Sequence, residues 1–253
     1  MTRLKDWLFS IPTVVAFGLT LVWYDIRGRL ALRKGLRSFE NAMASLQAAL
    51  LKVFAISGVR VTFEGREGFA ERGGFLFISN HQSMLDVPIF GGALTKNYPK
   101  YVAKRELAKG IPAVSLNLKR GGNALINRGD RGQALEAIAE LGRMCQERDV
   151  SAVIFPEGTR SRDGSLGGYR TSGAAALLEA APNLPVIPTV IDGSWKVFLN
   201  NMLPVPYGTP VRVRFGEPIH RTAGESVEAI VERCRLFADE TLNQWHSATE
   251  PTS

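Results

Sequence analysis

The chain contains three histidines, His81, His220 and His246. Only His81 lies in a polar cluster, Asn80-His81-Gln82-Ser83-Met84-Leu85-Asp86, directly after an apolar run, Phe75–Ser79. A polar cluster between a strand and a helix is where α/β folds place reactive groups. An imidazole at the entrance of the helix can meet a carboxylate one turn inside it. Asp86 would then fix the tautomer of His81 and steady the imidazolium that forms. Such an imidazole can act as a general base toward a hydroxyl. The plainer alternative is a histidine capping the helix beside a solvated aspartate. His220, close to Pro218, and His246, near the C-terminal end, read as surface residues.

A second cluster, Phe155-Pro156-Glu157-Gly158-Thr159-Arg160, also follows an apolar run. Its glycine permits close backbone approach, and its arginine could clamp a phosphate through two parallel hydrogen bonds. A third, Gly122-Asn123-Ala124-Leu125-Ile126-Asn127-Arg128, ends in another arginine. Two strand-end arginines near a histidine would suit a phosphorylated compound that carries a hydroxyl. Alternatively, Arg128 and Arg160 are surface ion-pair partners.

Seven short runs rich in β-branched and aromatic residues are expected to form strands: Val59–Phe63, Phe75–Ser79, Tyr101–Ala103, Ala124–Ile126, Ala152–Phe155, Val186–Ile191 and Val211–Phe215. Helical patterns occupy Arg131–Glu147, Gly173–Ala181 and Glu225–Gln244. This alternation predicts an α/β domain with a mixed central sheet flanked by helices.

The N-terminal part has a different character. Trp7–Tyr24 contains no charged residue. As a helix it would run ~27 Å, against a bilayer core of ~30 Å. Pro12 is expected in its first turn or at a kink. Arg3 and Lys5 precede the run, and Arg27, Arg29, Arg33, Lys34 and Arg37 follow it. Trp7, Trp23 and Tyr24 sit at its ends as interfacial anchors. The heavier positive side predicts that the remainder faces the cytoplasm. The absence of a small-residue cleavage site argues against a signal peptide. Phe39–Ser57 has one apolar face at helical spacing, with Met43, Leu46, Leu50 and Val53 on it. The two helices suit either a hairpin in one leaflet or a first helix that spans the bilayer. The expected division is 1–57 for membrane-associated helices, 58–246 for the catalytic domain and 247–253 for a flexible tail.

Composition narrows the partners. With 253 residues, 45% hydrophobic and 22% charged, the chain suits one sizeable folded domain. A net charge of +7 points to an anionic partner, but no nucleic-acid-binding motif occurs. Cys145 and Cys234 form no CxxC pair and read as two buried thiols. With three histidines and no HExxH, a metal site is not expected. No GxSxG is present, which argues against a serine hydrolase.

Taken in order, these blocks resemble the glycerophosphate and lysophosphatidate acyltransferase family. The HxxxxD block is His81 and Asp86, the GxxFIxR block is Gly122, Leu125, Ile126 and Arg128, and FPEGTR is complete at Phe155–Arg160. The fourth block is the apolar strand Leu184-Pro185-Val186-Ile187-Pro188-Thr189. The resemblance implies that His81 deprotonates an acceptor hydroxyl, which attacks a thioester carbonyl, with Asp86 orienting His81. It implies that Lys104, Arg128, Glu157, Gly158, Thr159 and Arg160 bind the acceptor, and that Val186, Ile187 and Pro188 help line the acyl tunnel. The implied donor is acyl-CoA or acyl-carrier protein as co-substrate, with no cofactor and no metal. The implied acceptor is a lysophospholipid, foremost lysophosphatidate at its free sn-2 hydroxyl, and the implied partner surface is a phospholipid membrane. Leu125 replaces the usual phenylalanine, and Asn127 stands where an acidic residue is frequent; both put the acceptor head group in question. Other lysolipid acceptors, lyso-ornithine lipid among them, and a non-catalytic lipid-binding protein are the competing expectations.

Overall fold

The computed structural model describes residues 4–69, 73–127, 129–200, 202–221 and 224–248. Seven strands form one mixed sheet: β1 (Arg60–Glu64), β2 (Leu76–Ser79), β3 (Lys100–Lys104), β4 (Ala124–Ile126), β5 (Ala152–Ile154), β6 (Val186–Asp192) and β7 (Pro210–Phe215). Their order is β1-β7-β6-β2-β5-β3-β4. Strands β6, β2, β5, β3 and β4 run parallel, and β7 pairs antiparallel with β6. Each expected strand is present, with ends displaced by at most a few residues.

Among the described residues seven α-helices accompany the sheet: α1 (Leu4–Leu32), α2 (Leu36–Ala55), α3 (Asp86–Ala93), α4 (Val114–Arg120), α5 (Arg131–Arg148), α6 (Thr171–Ala180) and α7 (Val227–Ser247). The period-two alternation of strand side chains explains the layering. Leu76 and Ile78 point to one face, where they join Leu141 and Cys145 of α5, Leu177 of α6 and Cys234 of α7. Phe77 points to the other, where it meets Phe54 of α2 and Ile89 and Phe90 of α3. The result is a three-layer α/β/α domain. Both cysteines are free and buried, and burial pushes each thiol up to about 12.

Two expectations need adjusting. Helix α1 begins at Leu4, so Pro12 lies two turns inside it rather than in its first turn. Ser247 is the last residue of α7 and not the start of the tail; residues 249–253 lie outside the described set, as does Arg3.

Helix α1 has its amphipathicity reversed. Asp6, Ser10 and Thr13 are buried against the protein, whereas Trp7, Leu8, Ile11, Val15, Leu19 and Trp23 are exposed. The buried polar groups are matched. Asp6 Oδ1 accepts the Tyr207 N–H at 2.9 Å, Ser10 Oγ accepts the Val205 N–H at 2.8 Å, and Thr13 and Ser57 hydroxyls meet at 2.6 Å. Near the other end, Asp25 accepts the Ala113 N–H at 2.9 Å. The helix is thus fixed to the same domain at both ends.

Helix α2 is fastened by charge. Glu40 is buried and takes Lys100 Nζ at 2.6 Å and an Arg148 nitrogen at 2.7 Å on the same oxygen, while Arg37 lies 3.4 Å from the other. Burial raises the Glu40 carboxyl, and Lys100 and Arg148 more than reverse this, leaving it below its usual range.

Candidate active site

The carboxyl ends of the five parallel strands carry the site. In spatial order they deliver Ser194 after β6, His81 after β2, Phe155–Arg160 after β5, Lys104 at the end of β3 and Asn127 after β4. The chain crosses over at β2, so His81 sits at the switch point where open α/β sheets bind ligands. Arg128, the next residue after Asn127, lies outside the described set.

Asp86 is the first residue of α3, so the carboxylate stands at the helix entrance and His81 in the loop before it. That differs from the expected place one turn inside the helix, and it lets the loop fold back on the carboxylate. Asp86 Oδ2 lies 2.7 Å from His81 Nδ1 and accepts the N–H groups of Gln82 and Ser83 at 2.7 and 2.9 Å. Asp86 Oδ1 accepts the Ser194 hydroxyl at 2.5 Å and that of Ser83 at 3.3 Å. The Asp86 side chain is wholly enclosed, while that of His81 is 19% exposed. An ionised Asp86 accepts only, so Nδ1 carries the proton and Nε2 is the basic nitrogen. Among the described residues none hydrogen-bonds Nε2. This is the geometry of an oriented general base whose working face is open.

The FPEGTR segment holds the backbone of His81. Glu157 Oε1 accepts the His81 N–H at 2.7 Å, and the Ser161 N–H donates to the His81 carbonyl at 2.8 Å. The Phe155 ring stacks on the imidazole with centroids 4.1 Å apart and planes 15° from parallel. Glu157 Oε2 accepts the Gly167 N–H at 3.0 Å, so both carboxylate oxygens serve backbone amides. Burial pushes the Glu157 carboxyl above its usual range, partly offset by those two amides. Asn80 hydrogen-bonds both backbone groups of Ile191 at 2.8 Å, clamping the His81 loop to β6.

Gly158 turns the chain at φ +68°, and Gly158, Thr159 and Arg160 are exposed beside the imidazole loop. Neither Arg160 nor the half-buried Lys104 makes a hydrogen bond or ion pair with a described residue, so both cations are available to an anion. Arg170, which the sequence did not single out, lies against Gly158: a guanidinium nitrogen is 3.7 Å from where a side chain there would begin. Ser194 was missed as well. Its only trace is the turn Asp192-Gly193-Ser194 after a strand, where Gly193 has φ +86° and a side chain would strike the Pro210 carbonyl.

Val186, Ile187 and Pro188, the residues expected to line an acyl tunnel, are at the opposite end of β6 from Ser194. They start β6, are fully buried, and Val186 and Ile187 belong to the cores on opposite faces of the sheet. His220 is exposed, and His246 meets Asp192 at 3.1 Å on the surface. Among the described residues no group of three or more His, Cys, Asp or Glu side chains is disposed to hold a metal ion.

Several known proteins are similar to this chain. Over 246 residues the chain is 27% identical to 1-acyl-sn-glycerol-3-phosphate acyltransferase of Limnanthes douglasii, covering 94% of this chain and 80% of that one. It is 28% identical over 200 residues to the human 1-acyl-sn-glycerol-3-phosphate acyltransferase alpha, covering 79% of this chain and 69% of that one. The crystal structure of the 1-acyl-sn-glycerophosphate acyltransferase of Thermotoga maritima superposes over the whole of both chains with a TM-score of 0.75 at 20% identity, which establishes the shared fold. The profile of the acyltransferase family matches residues 60–192, more than half the chain and the span that holds His81, Asp86 and the FPEGTR segment. With its sheet, its oriented histidine and that match in agreement, the chain belongs to the acyltransferase family.

Proposed function

We propose that the protein transfers a fatty acyl group from a thioester, acyl-CoA or acyl-carrier protein, to the free sn-2 hydroxyl of lysophosphatidate, giving phosphatidate. The observation that carries this reading is His81 itself: Nδ1 is committed to Asp86 while Nε2 is open, with two cations on neighbouring strand ends, Lys104 and Arg160, that pair with no described residue. His81 Nε2 takes the hydroxyl proton as the oxygen attacks the thioester carbonyl. The tetrahedral intermediate then collapses, the C–S bond breaks, and the imidazolium returns the proton to the leaving thiolate. Asp86 steadies the imidazolium between these steps. Lys104 and Arg160 hold the acceptor phosphate, with Arg128 as their expected companion. The named relatives support lysophosphatidate as the acceptor.

The same reading places the enzyme on a membrane with the catalytic domain toward the cytoplasm. Because both ends of α1 are hydrogen-bonded to one domain, the helix lies along one leaflet with its apolar face in the lipid.

An acceptor panel tests the reaction. Purified protein in detergent receives labelled acyl-CoA or acyl-carrier protein with lysophosphatidate, lysophosphatidylcholine or lyso-ornithine lipid. The expected outcome is phosphatidate from lysophosphatidate alone, lost in His81→Ala. In Arg160→Ala the acceptor KM should rise about tenfold, with the donor KM unchanged. Transfer only to another lysolipid would keep the chemistry and replace the acceptor. No transfer to any acceptor would refute the enzyme reading in favour of a lipid-binding protein.

A further inference from the structure

The exposed apolar side chains of the catalytic domain are unevenly placed. Six of them, Leu107, Ile111, Leu199, Met202, Leu203 and Tyr207, are between 38% and 57% exposed and lie on two loops. By contrast, α5, α6 and α7, which cover the opposite face of the sheet, expose one large apolar side chain among the described residues, Leu236. Concentrated apolar surface of this kind marks an interaction site.

Both loops are bolted to α1. The first leads through Ala113, whose N–H reaches Asp25. The second contains Val205 and Tyr207, whose N–H groups reach Ser10 and Asp6, and the Tyr207 ring lies 4.6 Å from that of Phe9. The second loop thus meets α1 near its N-terminal end and the first near its C-terminal end, one at each end of the exposed stripe. Lys5, Arg105, Lys109 and Lys196 are exposed on α1 and beside these side chains, with Glu106 the one acidic residue in 105–111. An apolar surface rimmed by cations is the pattern of an interface that contacts lipid carrying anionic head groups.

We propose that segments 105–111 and 202–207, together with Leu199, enter the same lipid leaflet as the outer face of α1. The proposal rests on α1 lying in that leaflet. It gives the enzyme three points of contact in place of a single helix, which sets the tilt of the site over the membrane. Each loop also leads back to the site. Lys104 immediately precedes the first, and Ser194 opens the 3-10 turn Ser194–Phe198 that runs into the second.

Site-directed spin labels test this with the full chain, because Cys145 and Cys234 are buried and leave introduced cysteines as the reactive ones. Leu107→Cys, Leu203→Cys, Val15→Cys on α1 and Glu179→Cys on α6 are labelled with a nitroxide and bound to phosphatidylcholine–phosphatidylglycerol vesicles. Accessibility to oxygen is compared with accessibility to a water-soluble nickel chelate. The 107, 203 and 15 labels should favour oxygen severalfold more than the 179 label. Nickel accessibility at 107 or 203, with 15 protected, would overturn the proposal and leave the α1 reading intact. Nickel accessibility at all three would overturn both. Spin–spin broadening at 107 or 203, abolished by dilution with unlabelled protein, would assign the surface to a second copy and overturn it too. In a second measurement, Leu107→Glu with Leu203→Glu should weaken vesicle binding about tenfold or more per leucine, with an unchanged circular dichroism spectrum. Unchanged binding would again overturn it.

Discussion

Asp86 and Glu40 are both carboxylates sealed from water, and their charges are supported in different ways. Glu40 meets three cations, Lys100, Arg148 and Arg37, and no neutral donor among the described residues adds to them. Asp86 meets two backbone N–H groups, two serine hydroxyls and one imidazole, with no lysine or arginine paired to it among the described residues. A buried charge needs partners in either case. Cations cancel the charge and leave a clamp, here between α2 and the sheet. Neutral dipoles support the charge without cancelling it, so Asp86 keeps its field for the proton on His81. The difference separates a group that holds the fold from one that serves a reaction.

The largest effect should come from removing that field. Asp86→Asn keeps the size of the side chain but ends the charge that steadies imidazolium, and it can hold the wrong tautomer. We expect kcat to fall about 10²–10⁴-fold, with Tm changed little. Steady-state transfer assays beside thermal unfolding check this. A variant that lost stability and kept its turnover would reverse the roles assigned to Asp86 and Glu40.

The corresponding change at Glu40 should do the opposite. Glu40→Gln leaves Lys100 buried without its counter-charge, at a cost of about 3 kcal/mol, while kcat per folded molecule stays near wild type. The pH dependence follows from the same clamp. The Glu40 carboxyl is lowered in the fold, so its contribution is present above the ordinary carboxylate pKa of about 4.3 and is lost as pH falls through the lowered value. Stability of the wild type should drop across that acid range, and Glu40→Gln should flatten the drop. Urea titrations at several pH values measure it. A parallel acid limb in both proteins would remove Glu40 from the account.

Much of this was legible in the sequence, and the exceptions have physical causes. The central strands β2 and β6 stand out because 75–78 and 186–191 are almost wholly apolar, as strands buried on both faces are, whereas β1 and β7 show the alternation of half-buried strands. His81, Asp86 and the FPEGTR segment were readable because their chemistry is local in sequence. Helix α4 was not anticipated: Val114–Arg120 is seven residues long with Ser115 and Asn117 inside it, and its apolar residues are too few to show a period. The sequence marked Glu157 as a substrate ligand. Which atoms its oxygens meet is decided by β5 lying next to β2, a pairing that brings residue 157 to residue 81. Ser194 left still less trace. It reaches Asp86 across 108 residues, and a serine after a turn carries no signature of that use.

Ser194 therefore supplies the finest test of the comparison. If neutral donors keep Asp86 charged and aimed, then removing one should weaken catalysis without touching binding. Ser194→Ala takes away a hydrogen bond to an ionised group, worth about 1.5–3 kcal/mol, and about 10–100-fold in kcat is the upper range expected. The KM for each substrate should hold, because the hydroxyl contacts Asp86 and not the open face of His81. The pH profile of kcat should change as well, because a less well supported Asp86 steadies the imidazolium less. Ser194→Thr, which keeps the hydroxyl, should restore part of the rate. A purely structural serine would lower Tm and leave the profile where it was; that result would make Asp86, like Glu40, a carboxylate whose neighbours serve the fold alone.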